Sequence, residues 1–178
     1  MVKITFYRFA GSFGPFKVKI PCGECSLTDD IIEDTLATEL AGIPVEVETF
    51  DWLDVFWRPL KKGGWHAPIV MVDGQRISQG NALNRGVLTQ AVVTAFAKKT
   101  PLTGNHLFGK ENCPHCERAK AHLTENNIPF EYHDVIQSPR ALYEMLARVK
   151  PEIGEKTPVT VPQIWLDGKY IGGADELN

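Results

Sequence analysis

The residues of this chain best suited to chemistry are Cys113 and Cys116, with Pro114 and His115 between them. Two cysteines three apart at the start of a helix lie one turn apart, so their sulfur atoms can meet and form a disulfide. The helix N-terminus presents unpaired N–H groups and positive potential, which favour the thiolate of the first cysteine. Because the thiolate is the nucleophile in thiol chemistry, the pattern predicts a redox-active dithiol.

A second cysteine pair, Cys22 and Cys25, encloses Gly23 and Glu24. The functional interpretation is a second dithiol that exchanges with the first. Glu24 would raise the pKa of a nearby thiol, which weakens the case for Cys22 as a fast nucleophile. The alternatives are a vestigial or structural pair, or a soft-metal site, for which a third ligand is missing from the neighbouring sequence.

Composition and charge limit the class of protein. The chain has 178 residues, enough for one ordinary domain or two small ones, and a net charge of -3 without a basic run argues against a nucleic-acid-binding surface. No apolar stretch is long enough to span a membrane, and no signal peptide is expected at the start. Four cysteines are too few for a secreted disulfide scaffold, and the two pairs are too far apart for a zinc ribbon. We therefore expect a cytoplasmic protein with reduced thiols.

The second half of the chain is predicted to alternate strands and helices. The expected elements are a strand at 104–109, a helix at 114–127, a strand at 128–134, a helix at 139–150, a strand at 161–166 and a returning strand at 169–171. Ser138 is the expected N-cap of the second helix, with Pro139 at its first position and Pro151 after its end. Asp167 and Gly168 are typical of a two-residue hairpin turn.

The first half repeats this order of signals. Its expected elements are a strand at 2–9, a helix at 26–40, a strand at 45–50, a hairpin at 69–72 and 75–78 and a helix at 87–97. Ser26 or Thr28 is the expected helix cap. In both halves a C-x-x-C precedes the first helix, and a proline, Pro68 or Pro162, begins the apolar strand of an Asp-Gly hairpin. The repeat predicts an internal duplication with a linker at 98–103.

Three motifs occur in order in the second half: K-E-N-C-P-H-C at 110–116, T-V-P-Q-I-W at 160–165 and D-G-K-Y-I-G-G-A-D at 167–175. Together they resemble the glutaredoxin family. The resemblance implies a thioredoxin-like fold and a glutathione-dependent thiol–disulfide oxidoreductase. We therefore expect two tandem thioredoxin-like domains, each a central mixed sheet flanked by helices. The first, at 1–99, is a divergent domain with C-G-E-C, and the second, at 104–178, is a glutaredoxin domain with C-P-H-C.

The resemblance also implies residue roles around the second dithiol. Cys113 would be the attacking thiolate and Cys116 the resolving thiol. Lys110 would stabilise the thiolate or bind a glutathione carboxylate. The backbone of Val161, before a cis Pro162, would pair with the cysteinyl unit of glutathione.

The remaining positions concern the far end of glutathione and the middle of the dithiol motif. Gly173, Ala174 and Asp175 would hold the γ-glutamyl end. His115 stands where tyrosine is more familiar in glutaredoxins, and its imidazolium would stabilise the thiolate and make the disulfide more oxidising. The alternative is a solvent-facing histidine with little influence.

The implied partners are glutathione, as the reductant, and protein disulfides or glutathionylated thiols, with ribonucleotide reductase among the family's targets. No metal, nucleic acid or membrane partner is expected. Two other functions stay open. One is a two-site protein disulfide oxidoreductase independent of glutathione. The other is a soft-metal or iron–sulfur carrier that uses Cys113 or the Cys22 and Cys25 pair. For soft-metal binding, the stretch from Pro21 through the first Asp-Gly hairpin distantly resembles the thioredoxin-like arsenic metallochaperones.

Histidines and aromatic residues complete the candidates. His106, His122 and His133 lack ligand-like spacing and are predicted to be ordinary surface or edge residues. His66, two before Pro68, is expected to face the first dithiol, either as a proton acceptor or metal ligand or as a hydrogen-bonded loop residue. A group of aromatic side chains is predicted to be mostly core or a cover over that dithiol, with any exposed remainder a docking patch. These are Phe50, Trp52, Phe56, Trp57 and Trp65.

Overall fold

The computed structural model describes residues 1–19 and 22–177. The chain divides into two compact units, Met1–Phe96 and Ala97–Asn178. Each unit contains a four-stranded sheet with both parallel and antiparallel pairs, and helices flank it. The predicted fold class, two α/β domains with central mixed sheets, is confirmed. Asn178, the last residue of the predicted second domain, lies outside the described residues.

The first unit is built around its N-terminal strand. Its elements are β1 (Val2–Arg8), β2 (Gly11–Phe13), β3 (Phe16–Val18), α1 (Gly23–Ala37), β4 (Val45–Asp51), α2 (Trp52–Val55), α3 (Trp57–Leu60), β5 (Ile69–Val72), β6 (Gln75–Gln79) and α4 (Arg85–Lys99). The sheet order is β4-β1-β5-β6, with β1 parallel to β4 and antiparallel to β5. Val2, Ile4 and Phe6 are fully buried, as expected for alternate residues of a strand with one face in the core.

The second unit repeats this plan. Its elements are β7 (His106–Gly109), α5 (Pro114–Glu125), β8 (Glu131–Asp134), α6 (Pro139–Ile153), β9 (Gln163–Leu166), β10 (Lys169–Gly172) and a short 3-10 helix (Ala174–Glu176). The sheet order is β10-β9-β7-β8, with β7 parallel to β8 and antiparallel to β9. Leu107 packs with Leu123 on one face, and Phe108 packs with Val149 on the other. Because consecutive residues of a strand face opposite sides, β7 is buried on both faces.

The turn and cap predictions in the second unit are mostly confirmed. Asp167 and Gly168 have φ of 49° and 75°, as a type I′ hairpin turn requires. The Ser138 Oγ accepts a hydrogen bond from the N–H of Ala141 at 3.2 Å, so Ser138 caps α6. The predicted end of this helix before Pro151 is wrong, because α6 continues to Ile153. A proline in the last turn removes only one N–H donor there, so the helix tolerates it.

The helix boundaries of the first unit differ more from the prediction. Helix α1 begins at Gly23 with Cys22 as its N-cap, so Ser26 and Thr28 lie inside the helix and cap nothing. The Thr28 hydroxyl instead donates to the Glu24 carbonyl at 2.7 Å. The predicted end of the last helix at Ala97 is also wrong, because α4 continues through Lys99. The linker at 98–103 stays a prediction.

Among the described residues, no helix has the length and apolar composition that a membrane crossing needs.

Candidate active site

The second dithiol lies between the end of β7 and the first turn of α5. Strand β7 ends at Gly109, and Cys113 is the N-cap of α5, with Pro114 at the first helical position. The Sγ of Cys113 accepts a hydrogen bond from the backbone N–H of Cys116 at 3.4 Å. A sulfur atom thus takes the place of the oxygen that usually satisfies a helix N-terminus. Cys113 is 6% exposed and Cys116 is fully buried.

The surroundings of the two thiols divide their roles. Burial alone would raise the pKa of Cys113, but hydrogen bonds from the Cys116 thiol and from the N–H groups of Cys116 and His115, with the charge of Lys110, lower it overall. Burial raises the pKa of Cys116 to about 11, and its hydrogen bond to Cys113 adds to that rise. Cys113 is therefore the better nucleophile of the two, and Cys116 stays a protonated thiol at neutral pH.

His115 acts on the thiolate through its backbone, because its N–H group donates to the Cys113 sulfur and lowers the pKa of that thiol. Its side chain is exposed, and its Nδ1 lies 3.3 Å from an Nη of Arg118. Since a guanidinium can only donate, Nδ1 accepts this bond. Arg118 also forms an ion pair with Asp175. Stabilisation of the thiolate by the His115 ring stays a prediction.

A proline loop borders the dithiol from the other side. The peptide bond between Val161 and Pro162 is cis, as predicted. The carbonyl of Val161 lies 4.0 Å from the Sγ of Cys113. Gln163 supports this loop, since its Nε2 donates to the Thr160 carbonyl at 2.8 Å and its Oε1 accepts from the Tyr170 hydroxyl at 2.6 Å. The sequence analysis missed Gln163 and Tyr170.

A groove of about 440 Å³ lies beside the proline loop. Six predicted site residues line it: His115, Val161, Pro162, Gly173, Ala174 and Asp175. The end of α6 and the segment between α6 and the proline loop also line it, through Ile153, Thr157, Pro158 and Thr160. Cys113 adjoins the groove through Val161 rather than lining it. Lys110 is exposed and does not line it either, but its charge acts on Cys113. The fold thus brings six predicted residues together in one concave surface.

Two residues that line the groove, Gly173 and Asp175, already have polar partners within the protein. The N–H of Gly173 donates to the Glu176 carboxylate at 2.9 Å. Asp175 is paired with Arg118. A ligand that binds here meets the carboxylates of Asp175 and Glu176, the first of which is paired with Arg118.

The first dithiol has a similar local arrangement. Cys22 is the N-cap of α1, and its Sγ lies 2.9 Å from that of Cys25. Both are free thiols. Burial raises the pKa of Cys25 to about 11, and its hydrogen bond with Cys22 adds to the rise, while the N–H of Phe9 donates to its sulfur at 3.2 Å and opposes it. As in the second unit, the second cysteine is the buried, protonated one.

Glu24 and His66 both contact the loop that follows β6. The Glu24 carboxylate accepts a hydrogen bond from the N–H of Ala82 at 2.6 Å and so fastens α1 to the loop after β6. The His66 ring lies against Gly80 and edge-on to Trp65, which fits the interpretation as an ordinary loop residue.

The aromatic group of the first unit is less buried than predicted. Phe50 and Trp52 pack against a buried cluster that includes Tyr7. Trp57 is 48% exposed and Trp65 is 62% exposed. Phe50 and Trp52 are thus the core part of the group, and Phe56, Trp57 and Trp65 are its exposed part. A cover over the first dithiol stays a prediction.

Comparison with known proteins identifies relatives of the second unit. The glutaredoxin family model matches residues 106–171. Glutaredoxin 3 of Escherichia coli (strain K12) is 35% identical over 71 residues, which are 40% of this chain and 77% of the relative. Glutaredoxin-C8 of Oryza sativa subsp. japonica is 34% identical over 97 residues, 53% of this chain and 69% of the relative.

Solved structures of glutaredoxins are also similar to part of the chain. A buckwheat glutaredoxin–glutathione complex is 21% identical, covers 51% of this chain and 76% of its own and has a TM-score of 0.37. A glutaredoxin from Brucella melitensis is 28% identical and covers 44% of this chain and 77% of its own, with a TM-score of 0.34.

Proposed function

We propose, from the premise that this chain belongs to the glutaredoxin family and is a thiol–disulfide oxidoreductase, that glutathione reduces its Cys113–Cys116 disulfide. The observation that carries the proposal is the position of Cys113. Its sulfur lies 4.0 Å from the Val161 carbonyl at the border of a groove of about 440 Å³. A peptide thiol bound in that groove is held beside the sulfur that it must attack.

The proposed reaction is a sequence of thiol–disulfide exchanges. The Cys113 thiolate attacks one sulfur of a substrate disulfide, forming a mixed disulfide and releasing a thiolate that takes up a proton. The Cys116 thiol then loses its proton and attacks the Cys113 sulfur, which releases the second substrate thiol. Two glutathione molecules reduce the resulting Cys113–Cys116 disulfide and leave as oxidised glutathione. With a glutathionylated thiol as substrate, Cys113 is sufficient. Its thiolate attacks the glutathione sulfur and releases the substrate thiol, and a second glutathione then attacks the mixed disulfide on Cys113 and leaves with the first as oxidised glutathione.

Each groove residue has a proposed role in binding glutathione. The backbone of Val161, before Pro162, pairs with the cysteinyl unit as an added extended segment. Gly173, Ala174 and Asp175 hold the γ-glutamyl end, whose ammonium and carboxylate suit the pair that Asp175 forms with Arg118. Lys110, outside the groove, stabilises the Cys113 thiolate.

The substrates proposed are protein disulfides and glutathionylated thiols, with ribonucleotide reductase a candidate from the family resemblance. We place the protein in the cytoplasm, because a reducing compartment keeps its four cysteines as free thiols. Domains at 1–99 and 104–178, close to the two compact units, are part of the same proposal.

The test is disulfide reduction coupled to glutathione, glutathione reductase and NADPH. Three proteins are compared: the wild type, Cys113→Ser and Cys22→Ser. We expect Cys113→Ser to lose turnover and Cys22→Ser to retain it. Turnover that is independent of glutathione and requires Cys22 would favour the two-site protein disulfide oxidoreductase instead.

We also propose that Cys22 and Cys25 form a second redox pair. Their sulfur atoms lie 2.9 Å apart at a helix N-terminus, and Cys25 is held protonated by burial. To test this, the full chain with Cys113→Ser and Cys116→Ser is treated with diamide and weighed by mass spectrometry. Loss of two hydrogen atoms, reversed by dithiothreitol, supports the pair. Unchanged mass with two alkylatable thiols counts against it.

A further inference from the structure

A cluster of three side chains of types that can bind a metal ion lies at the edge of the second sheet and contains neither cysteine of the second dithiol. His106 is on β7, and Glu131 and His133 are on the edge strand β8. In the parallel ladder His106 pairs with Glu131. His133 is two residues further along β8, so all three side chains lie on one face of the sheet. The prediction that the histidines of this unit are ordinary surface or edge residues is wrong for His106, which is buried.

The ligand atoms of the three side chains converge on one point. His106 Nδ1 lies 3.0 Å from His133 Nε2. The two oxygens of Glu131 lie 3.7 Å from His106 Nδ1 and 3.8 Å from His133 Nε2. Nitrogen and oxygen ligands bound tetrahedrally to zinc at about 2.0–2.1 Å are about 3.3–3.4 Å apart. To reach that value, the two nitrogens move apart and the exposed Glu131 carboxylate moves closer to them, each by roughly 0.3–0.5 Å.

The tautomer of His106 is the one that a metal ligand needs. Its Nε2 lies 3.0 Å from the carbonyl oxygen of Thr103, which can only accept a hydrogen bond. The proton is therefore on Nε2, and the lone pair on Nδ1 accepts the hydrogen bond that His133 Nε2 donates. When an ion binds, the proton of His133 moves by exchange with water from Nε2 to Nδ1, which frees the Nε2 lone pair for the ion. A histidine that binds a metal through one nitrogen commonly donates the other N–H to a backbone carbonyl.

The second histidine is also held in place before any ion binds. Its ring stacks on Phe108, with centroids 4.4 Å apart and an interplanar angle of 20°. The His106 ring is nearly parallel to it, with centroids 5.3 Å apart and an interplanar angle of 20°, and meets it through the contact between the two nitrogens. Packing thus restricts the direction of His133 Nε2, which lowers the entropy that binding would otherwise cost.

We propose that His106, His133 and Glu131 form a binding site for a divalent transition-metal ion, with zinc as the expected occupant. Two imidazoles and one carboxylate are a common protein ligand set for zinc, and a water molecule takes the fourth position. The ion joins β7 to the edge strand β8. Because the ligands come from two strands that are brought together only by folding, binding stabilises the folded second unit.

The test must separate this site from the four thiols, which also bind zinc. The full-length chain with all four cysteines replaced by serine is titrated with zinc chloride in a calorimeter. We expect one equivalent to bind. Zinc affinity should fall by more than about tenfold in His133→Asn and in Glu131→Gln, the second of which changes an exposed side chain. Even the loss of a residue that only hydrogen-bonds to a metal ligand lowers metal affinity roughly 10–100-fold.

The matched control is His122→Asn, which removes a histidine of the same unit from outside the cluster and should bind zinc like the parent. Imidazole ¹⁵N spectra of the wild-type chain provide a second measurement that does not depend on the serine variant folding. We expect zinc to shift the Nδ1 resonance of His106 and the Nε2 resonance of His133. No zinc-dependent shift at these nitrogens, or affinity that is unchanged by both His133→Asn and Glu131→Gln, would overturn the proposal.

Discussion

The backbone N–H of Cys116 donates to the sulfur of Cys113 at 3.4 Å, and the Cys116 thiol adds a second hydrogen bond to the same atom. One residue therefore lowers the pKa of its partner while its own pKa is raised to about 11. This relationship supports the proposed roles of Cys113 as the attacking thiol and Cys116 as the resolving thiol.

Cys116→Ala tests the side-chain half of this relationship. The substitution removes the thiol donor but keeps the N–H donors, so the pKa of Cys113 should rise, by about one unit if a hydrogen bond to a charged group contributes about 1.5 kcal/mol. The pH dependence of iodoacetamide alkylation at Cys113 measures it. Reduction of protein disulfides should fall, whereas deglutathionylation should persist. An unchanged pKa would show that the backbone donors alone stabilise the thiolate.

Lys110→Gln and His115→Ala separate two possible sources of positive charge near Cys113. Removing Lys110 should raise the pKa of Cys113 by a few tenths of a unit, since an exposed charge acts through water, and this effect should shrink at high salt. His115→Ala keeps the N–H donor and removes only a ring that accepts from Arg118, so it should change that pKa less. The same alkylation profile is the readout. A larger effect of His115→Ala than of Lys110→Gln would restore the imidazolium interpretation.

The buried cysteines predict a loss of stability in alkaline solution. Burial raises the pKa values of Cys25 and Cys116 from 9.0 to about 11, so these thiols bind protons more tightly in the folded chain. Their contribution to stability is present below pH 9 and is lost as the pH rises from about 9 to 11, on the order of 2 kcal/mol for each thiol. Urea unfolding under reducing conditions measures it. Cys25→Ser with Cys116→Ser should show a flatter pH profile than the wild type over that range.

Two serines test the helix caps. Ser138→Ala removes the acceptor of the Ala141 N–H at the start of α6 and should lower the free energy of unfolding by about 1 kcal/mol. Ser26→Ala is the matched control, because Ser26 is exposed inside α1, where alanine is the better helix former. Urea titration of both variants gives the comparison. Equal losses would contradict the observed start of α1 at Gly23.

Tyr170→Phe tests whether the support of the proline loop matters for the groove. The change removes the hydroxyl that donates to Gln163, which in turn holds the Thr160 carbonyl. A loss of about 1 kcal/mol corresponds to a roughly fivefold rise in KM for glutathione. Coupled kinetics should show this rise with little change in the pKa of Cys113. A changed pKa with unchanged KM would place the effect at the thiolate instead.

Local signals were predicted well because their causes lie within a few residues. Ser138 caps α6, Asp167 and Gly168 adopt the hairpin turn, and Cys113 begins α5 as its C-P-H-C motif indicates. Each of these depends on backbone conformation and hydrogen bonds between near neighbours in the chain, which residue types and spacing determine.

Partners distant in the chain were decided only by the tertiary structure. Glu24 finds the N–H of Ala82, 58 residues away, and His106 meets His133 across two strands. Trp65 is exposed, although a large aromatic residue type suggests a place in the core. The sequence by itself determined the dithiols, their helices and the turns that return each sheet. The packing of strands determined which side chains are buried, which groups line the groove and which histidines converge, because burial and contact depend on neighbours that only folding supplies.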